Sequence, residues 1–180
     1  MDWTDSVRLR LKRRNQLLFQ PKDEYLQDLA SLVCLQPHKV LVLWAFELAG
    51  ETVQILEQKY PQEKSPQNAL EVSKLWAAGK IKMPVAKREI LRCHAFAKTI
   101  FSLEDIARFH AVAQACSVVH TVGHAMGYPI YDLTAIVRSL GLENCCEAVE
   151  RRRQSYEEKL LFWSAQVKNR TQPWAEFMDR

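Results

Sequence analysis

The sequence predicts an all-α protein, a single-domain helical bundle of about seven helices around a buried central helix at about residues 103–126. The 180 residues include only 5 glycines and 7 prolines, too few for the many turns of an all-β fold. Apolar residues make up 48% of the chain and recur at spacings of three and four, as on the buried face of a helix. A chain of this length suits one domain with its own core, so residues 1–180 are predicted to form one domain.

The first 35 residues are predicted to form an N-terminal helical arm. Residues 7–12 alternate between apolar and basic side chains as a strand does, but their apolar residues also fit a helical stripe, so both interpretations stay open. Residues 23–34 are predicted as a short helix that opens with two acidic residues.

Apolar spacing and capping residues define the next two helices. A long helix from about Pro37 to Tyr60 ends where Pro61 follows. The next is predicted to start with Ser65 as its N-cap and to end at Gly79, because glycine is the usual residue after a helix C-terminus.

The central helix is expected to be the most buried element. A helix over residues 84–101, with Phe101 buried at its end, precedes it, and Ser102 is predicted to cap it. Residues 103–126 are apolar on nearly every side, which is typical of a helix surrounded by others. A short helix over residues 129–140 and a long C-terminal helix over residues 143–170 complete the bundle.

The charge distribution argues against a nucleic-acid-binding protein. The net charge is +4, but each of three consecutive parts of the chain carries a basic excess of only one or two residues. The Arg151-Arg152-Arg153 cluster is therefore interpreted as a solvated helix surface. The polar N-terminus, the absence of a long apolar stretch and the 5 cysteines without a Cys-x-x-Cys pair predict a cytoplasmic protein with free thiols and no membrane contact.

Histidines are the main candidates for a functional site. His120 and His124 are predicted to lie one turn apart on the same helix face, a spacing compatible with a shared metal ion. Thr121 stands where zinc hydrolases of the His-Glu-x-x-His type have glutamate, so a metal is the weaker interpretation. Core histidines that are hydrogen-bonded, or a polar pocket, are the alternatives. Cys116 could meet His120, although a buried cysteine is usually only a small apolar residue.

Nine short motifs between residues 37 and 141 occur in a recognisable order. They are Leu43-Trp44-Ala45, Glu47-Leu48-Ala49, Pro66 with Ala69-Leu70, Trp76, Gly79, Cys93-His94-Ala95, Ala97-Lys98, His120 to Gly127, and Tyr131. Together they resemble the bacterial "putative immunity protein" family, whose members carry a Trp-Ala helix, a His-Ala helix and a closing alanine-rich helix.

This resemblance implies a non-enzymatic protein that binds a cognate bacterial toxin and blocks it sterically, without a cofactor. The alternative is a helical ligand- or metal-binding protein with a histidine-lined pocket, and a homodimer through Val149, Tyr156 and Trp163 of the last helix stays open. The candidate pocket residues are Glu47, Trp76, His94, His110, His120, His124 and Tyr131.

Overall fold

The computed structural model describes residues 2–169 and 171–179, and every regular element within them is helical. The α-helices are α1 (Trp3–Lys12), α2 (Gln27–Cys34), α3 (His38–Lys59), α4 (Ser65–Ala77), α5 (Met83–Phe96), α6 (Leu103–Ser117), α7 (Gly127–Leu140) and α8 (Cys146–Gln166). Short 3₁₀ turns lie at Glu24–Leu26, Val122–His124, Val167–Asn169 and Glu176–Asp179. The all-α class is confirmed, and the ambiguous segment 7–12 is helical. None of the described helices is long and apolar enough to cross a bilayer.

Helix α6 is the central element, in contact with α3, α4, α5 and α7. Ala111, Ala113 and Ala115 have no exposed surface. Their small side chains let the neighbouring helices approach closely, and the bulkier Phe109 fills the space beside them. The prediction of a buried central helix is thus confirmed.

The predicted C-terminal part of this central helix is wrong, because α6 ends at Ser117 instead of continuing to residue 126. The Ser117 hydroxyl donates to the Ala113 carbonyl at 2.8 Å, a bond that competes with the helical pattern. The following segment is rich in β-branched residues, which are weak helix formers. Thr121 is fully extended, with φ −147° and ψ 120°, so the chain leaves the helix and re-enters it only at Gly127.

Helix α5 is also shorter than predicted, and Phe101 lies outside it. Ser102 caps α6 as predicted, accepting from the Asp105 N–H at 3.2 Å. This cap requires the non-helical backbone seen at Ser102, with φ −67° and ψ 107°, so the chain must leave α5 earlier. Helix α5 ends at Phe96, and Phe101 is 98% exposed in the connecting loop. The predicted burial of Phe101 is wrong.

The ends of α4 agree with the sequence to within one residue. Gly79 has φ +71° and its N–H donates to the Trp76 carbonyl at 2.9 Å, as expected of a glycine that terminates a helix. Ser65 is the first helical residue and not the N-cap. Its N–H is capped from the preceding turn by the Glu63 carboxylate at 2.8 Å.

Residues 2–35 pack along α7 and α8. Arg10 and Asp23 form a two-pronged ion pair with both distances 2.5 Å, which closes the loop after α1. The Leu18 N–H donates to the Thr134 hydroxyl of α7 at 3.1 Å. The division into an N-terminal arm, a core over residues 37–141 and a C-terminal helix stays a prediction.

The apolar residues of α8 that left a dimer seam open in the sequence face the domain itself. Val149 and Tyr156 have no exposed surface and Trp163 has 8%. Their seven-residue recurrence therefore reflects packing against the other helices, and a homodimer would need a different surface.

The C-terminal residues fold back onto α4. The Ala175 N–H donates to the Ala77 carbonyl at 2.8 Å. The Phe177 ring contacts the Trp76 ring with centroids 5.8 Å apart, and Lys39 lies 5.6 Å from the Trp174 ring centroid. The Phe177 ring thus packs against the Trp76 indole from the C-terminal side of the chain.

Candidate functional site: the histidine face

Two of the predicted pocket histidines form a hydrogen-bonded pair between α5 and α6. The Nδ1 atoms of His94 and His110 lie 2.6 Å apart, and both rings are half-buried. One ring must donate its N–H and the other must accept, so the pair requires at least one neutral imidazole. The Tyr131 ring lies beside His110 with centroids 5.2 Å apart.

A groove lies on each side of this pair. The α5 groove has a volume of about 220 Å³ and is lined by Trp76, Met83, Lys87, Ile90, Leu91, His94, Ser117, His120 and His124. The α6 groove has a volume of about 450 Å³ and is lined by Leu11, Arg14, Asn15, Gln16, Leu103, Ile106, Ala107, His110, Tyr131 and Arg138. We call the two grooves and the histidine pair between them the histidine face.

His120 and His124 lie in the turn between α6 and α7, not on a common helix face. His120 is exposed and stacks on the Trp76 indole, with ring centroids 6.1 Å apart and planes 25° apart. His124 points to a different partner, the Gln114 side-chain oxygen, which its Nδ1 contacts at 2.8 Å. The spacing argument for a shared metal is therefore wrong. Among the residues that the structure describes, no three His, Cys, Asp or Glu side chains are arranged to hold a metal ion.

Gly127 makes the His124–Gln114 contact possible. A Cβ atom at position 127 would lie 2.5 Å from the Gln114 Oε1 atom and 3.0 Å from its Cβ atom. These distances are shorter than van der Waals contact, so any side chain at position 127 has to displace Gln114.

We expect Gly127→Ala to lower the free energy of unfolding by about 1–3 kcal/mol, the usual cost of overpacking. The His124 ring should also lose its amide partner, which NMR of the imidazole nitrogens would detect. Gly50→Ala is the matched control, because a Cβ there meets nothing within 4 Å. As a helix-interior change from glycine, it should be neutral or stabilising by up to about 1 kcal/mol. Equal stability of the two variants would contradict the close approach at Gly127.

Three histidines of this face, His94, His110 and His124, have lowered pKa values, which favours their neutral form. Burial, followed by the neighbouring His110, lowers the pKa of His94 to about 4. Burial and then Lys98 lower the pKa of His110, and burial and then His120 lower the pKa of His124. In the unfolded chain a histidine has a pKa of about 6.5, so between these values the unfolded chain binds protons that the folded protein does not.

The protein should therefore lose stability as the pH falls from about 6.5 to about 4. For His94 alone we expect about 1–2 kcal/mol over this interval, after a discount for partial solvent screening of the ring. Urea titrations at several pH values measure this loss, and His94→Asn should reduce it. A free energy of unfolding that is constant from pH 7 to pH 5 in the wild type would contradict the buried neutral pair.

The comparison with family models decides the identity of the chain. The family model of the Imm-5 like putative immunity protein matches residues 31–159, most of the sequence. The chain belongs to this family. The match confirms the predicted resemblance and extends it to the second half of α2 and most of α8, and all seven predicted pocket residues lie within it. No curated protein and no solved structure matches the chain.

Within this Imm-5 like domain, Glu47 lies apart from the histidine face. Its carboxylate accepts from Lys159 at 2.5 Å and from the Trp163 indole at 2.6 Å, which joins α3 to α8. It lines a separate, shallow groove of about 730 Å³ beside α4 and the C-terminal residues. The histidine face thus brings together Trp76, His94, His110, His120, His124 and Tyr131, and leaves out Glu47.

Two buried cysteines of the Imm-5 like domain, Cys93 and Cys116, are poor nucleophiles. Cys93 and Cys116 have no exposed surface. Burial raises the pKa of Cys93 and raises the pKa of Cys116 to about 12, so the thiolate form is disfavoured. His120, the partner that the sequence suggests for Cys116, lies exposed in the turn after α6.

Sequence reasoning missed a buried ionic network centred on Arg152. The guanidinium donates to Asp132 at 2.6 Å, to Glu51 at 2.6 Å and to the Tyr128 hydroxyl at 2.8 Å. The Tyr156 hydroxyl also donates to Asp132, at 2.6 Å. This network joins α3, α7 and α8 in the core of the domain. The interpretation of the arginine cluster as a solvated surface is wrong for Arg152.

A signal for this network was present in the sequence. Tyr128 and Asp132 are four residues apart in α7, and Arg152 and Tyr156 are four apart in α8, so each pair lies on one helix face. An aspartate on the apolar face of α7 requires a buried cationic partner. Only the packing of α7 against α8 identifies that partner as Arg152 and not Arg151, whose side chain is 72% exposed.

Proposed function

We propose that this chain binds a cognate protein toxin through the histidine face and neutralises it by steric occlusion, without catalysis. Membership of the Imm-5 like putative immunity protein family supports the general role. Neutralisation inside the producing cell, and hence a cytoplasmic location, are parts of this proposal.

The observation that carries the proposal is the exposed apolar surface around the two grooves. Met83, Leu91 and Leu103 line the grooves and are 39%, 54% and 57% exposed. Phe101, 98% exposed, is two residues from Leu103 in the sequence, and Val122, 47% exposed, lies in the turn that carries His124. Large apolar side chains left in water next to concave surfaces are typical of protein-binding sites.

A histidine-lined pocket for a small molecule is the second candidate. The three imidazoles of the α5 groove favour it, but the size of the groove does not. At about 220 Å³ and open to solvent, it is smaller than the usual ligand pocket of roughly 300–1,000 Å³. The volume suits a side chain of a protein partner better than a small molecule.

The test is protection against the cognate toxin, sought first among the products of neighbouring genes. Cells that express this toxin should grow when they also express the wild-type chain, and calorimetry with the purified proteins should show a complex. We expect Leu91→Asp to weaken the complex by about 2 kcal/mol or more, roughly thirtyfold, as for residues at the centre of an interface.

Leu35→Asp is the matched control, because Leu35 is 78% exposed at the end of α2 and lines neither groove. It should leave both protection and affinity unchanged. Failure of the wild-type chain to protect or to bind would contradict the proposal. A complex weakened by Leu35→Asp but not by Leu91→Asp would place the interface elsewhere.

A further inference from the structure

We infer that the α5 groove receives an acidic side chain of the partner protein, flanked by an apolar residue. This inference rests on the proposed function, because it takes the occupant to be a segment of a protein. The histidine face then selects partners whose docking surface carries carboxylates.

Charge is the first argument. The lining of the α5 groove contains one lysine and three histidines but no carboxylate. The acidic residue of α5 itself, Glu89, forms ion pairs with Arg88 at 3.0 Å and with Arg92 at 2.9 Å. Lys87 is exposed and forms no ion pair with any described residue. An acidic group in the groove would therefore meet a cation that no internal carboxylate neutralises.

Hydrogen bonding is the second argument. His94 contacts His110 through its Nδ1 atom, and His124 contacts Gln114 through its Nδ1 atom. The His120 ring nitrogens, in contrast, have no hydrogen-bond partner among residues 2–169 and 171–179. The stack on Trp76 holds the His120 ring at the wall of the groove. Lys87 and His120 thus offer two hydrogen-bond donors to the groove, and a carboxylate has two oxygens that accept such bonds.

The remaining wall is apolar. Met83, Ile90 and Leu91 of α5 complete the lining. Leu91 is the most exposed of the three at 54%, so it gains most from being covered by an apolar neighbour of the acidic residue. The occupant predicted by these surfaces is an acidic residue beside a leucine-like residue.

The α6 groove has the same character. Arg14 and Arg138 line it, and again no carboxylate does. The Arg138 guanidinium donates to the Asn15 carbonyl at 2.9 Å. This bond occupies one guanidinium donor but leaves the positive charge of Arg138 without an anionic partner in the described part of the chain. Both grooves of the histidine face therefore favour an acidic surface on the same partner. A toxin with a basic docking surface, such as that of a nuclease, would be repelled.

A pair of blocked peptides tests the groove separately from any toxin. Acetyl-Leu-Glu-Leu-amide and acetyl-Leu-Gln-Leu-amide have nearly the same shape and differ in one negative charge. Each is titrated to millimolar concentration into the isotope-labelled full chain, with the imidazole resonances of His94, His120 and His124 as the readout. We expect the glutamate peptide to bind about tenfold tighter than the glutamine peptide, with an advantage that shrinks as salt is added.

Lys87→Gln should remove this advantage, whereas Lys74→Gln should keep it, because Lys74 is an exposed lysine that lines the separate groove beside α4.

Equal binding of the two peptides, no shift of these resonances, or an unchanged preference in Lys87→Gln would overturn the inference. Toxin protection together with any of these results would leave the proposed function intact and reject only the acidic occupant. Selective peptide binding without toxin protection would reject the function and retain the groove.

Discussion

Replacing Arg152 with alanine should lower the free energy of unfolding by about 3–5 kcal/mol, the usual cost of removing one partner from a buried ion pair. The Arg152 side chain is only 20% exposed, and that of its partner Asp132 only 10%. Without the guanidinium, Asp132 is left as a buried carboxylate whose one remaining side-chain donor among the described residues is the Tyr156 hydroxyl. Tyr128 loses a donor at the same time. Chemical denaturation of the purified variant measures the loss.

Arg151→Ala is the matched control, since it removes the same group one residue away on the same helix. The Arg151 side chain is 72% exposed and its pair with Glu147 spans 3.3 Å at the surface, so the expected change is below about 0.5 kcal/mol. A loss of less than 1 kcal/mol in Arg152→Ala would contradict the buried network. Arg152→Met, which keeps the aliphatic part of the side chain, should recover only the share of the loss due to packing.

Replacing Trp44 with alanine should cost about 3–5 kcal/mol in the free energy of unfolding, as for other large-to-small changes in a core. The Trp44 side chain has no exposed surface, and its indole N–H donates to the Tyr156 carbonyl at 3.0 Å. Its ring also meets the Tyr156 ring edge-on, with centroids 6.4 Å apart. The variant therefore leaves a cavity between α3 and α8 and removes the indole hydrogen bond that joins the two helices. Urea denaturation followed by circular dichroism measures the change.

Phe101→Ala is the control for this second prediction, because the Phe101 ring is 98% exposed. Its free energy of unfolding should stay within about 0.5 kcal/mol of the wild-type value. If Phe101→Ala were as damaging as Trp44→Ala, the exposed position of the α5–α6 loop would be wrong.

The fold class could be predicted from the sequence because helical periodicity and capping residues agree along the chain. Gly79 and Ser102 mark helix ends through local backbone geometry, and both marks are correct. The errors lie where a local preference opposed a longer pattern. The apolar run after Ser117 resembles a continuing helix, but its β-branched residues end α6 there. The same competition near Ser102 leaves Phe101 in a loop.

The site could be predicted only in part. The sequence identified the histidines as notable, but His94 and His110 are sixteen residues apart and meet only because α5 packs against α6. Pairing across helices cannot be read from periodicity, which defines the faces of one helix and not their neighbours. For the same reason the sequence groups Glu47 with the histidines, although its carboxylate contacts α8. Arg152 was missed because its exposed neighbour Arg151 belongs to the same charge cluster.

Amide hydrogen exchange of the chain, with and without its cognate toxin, tests the role of the histidine face most directly. We expect slower exchange on complex formation in α5 and in residues 118–127, where the two walls of the α5 groove lie. Slower exchange confined to α2 and the outer surface of α8, with α5 and residues 118–127 unchanged, would contradict this role.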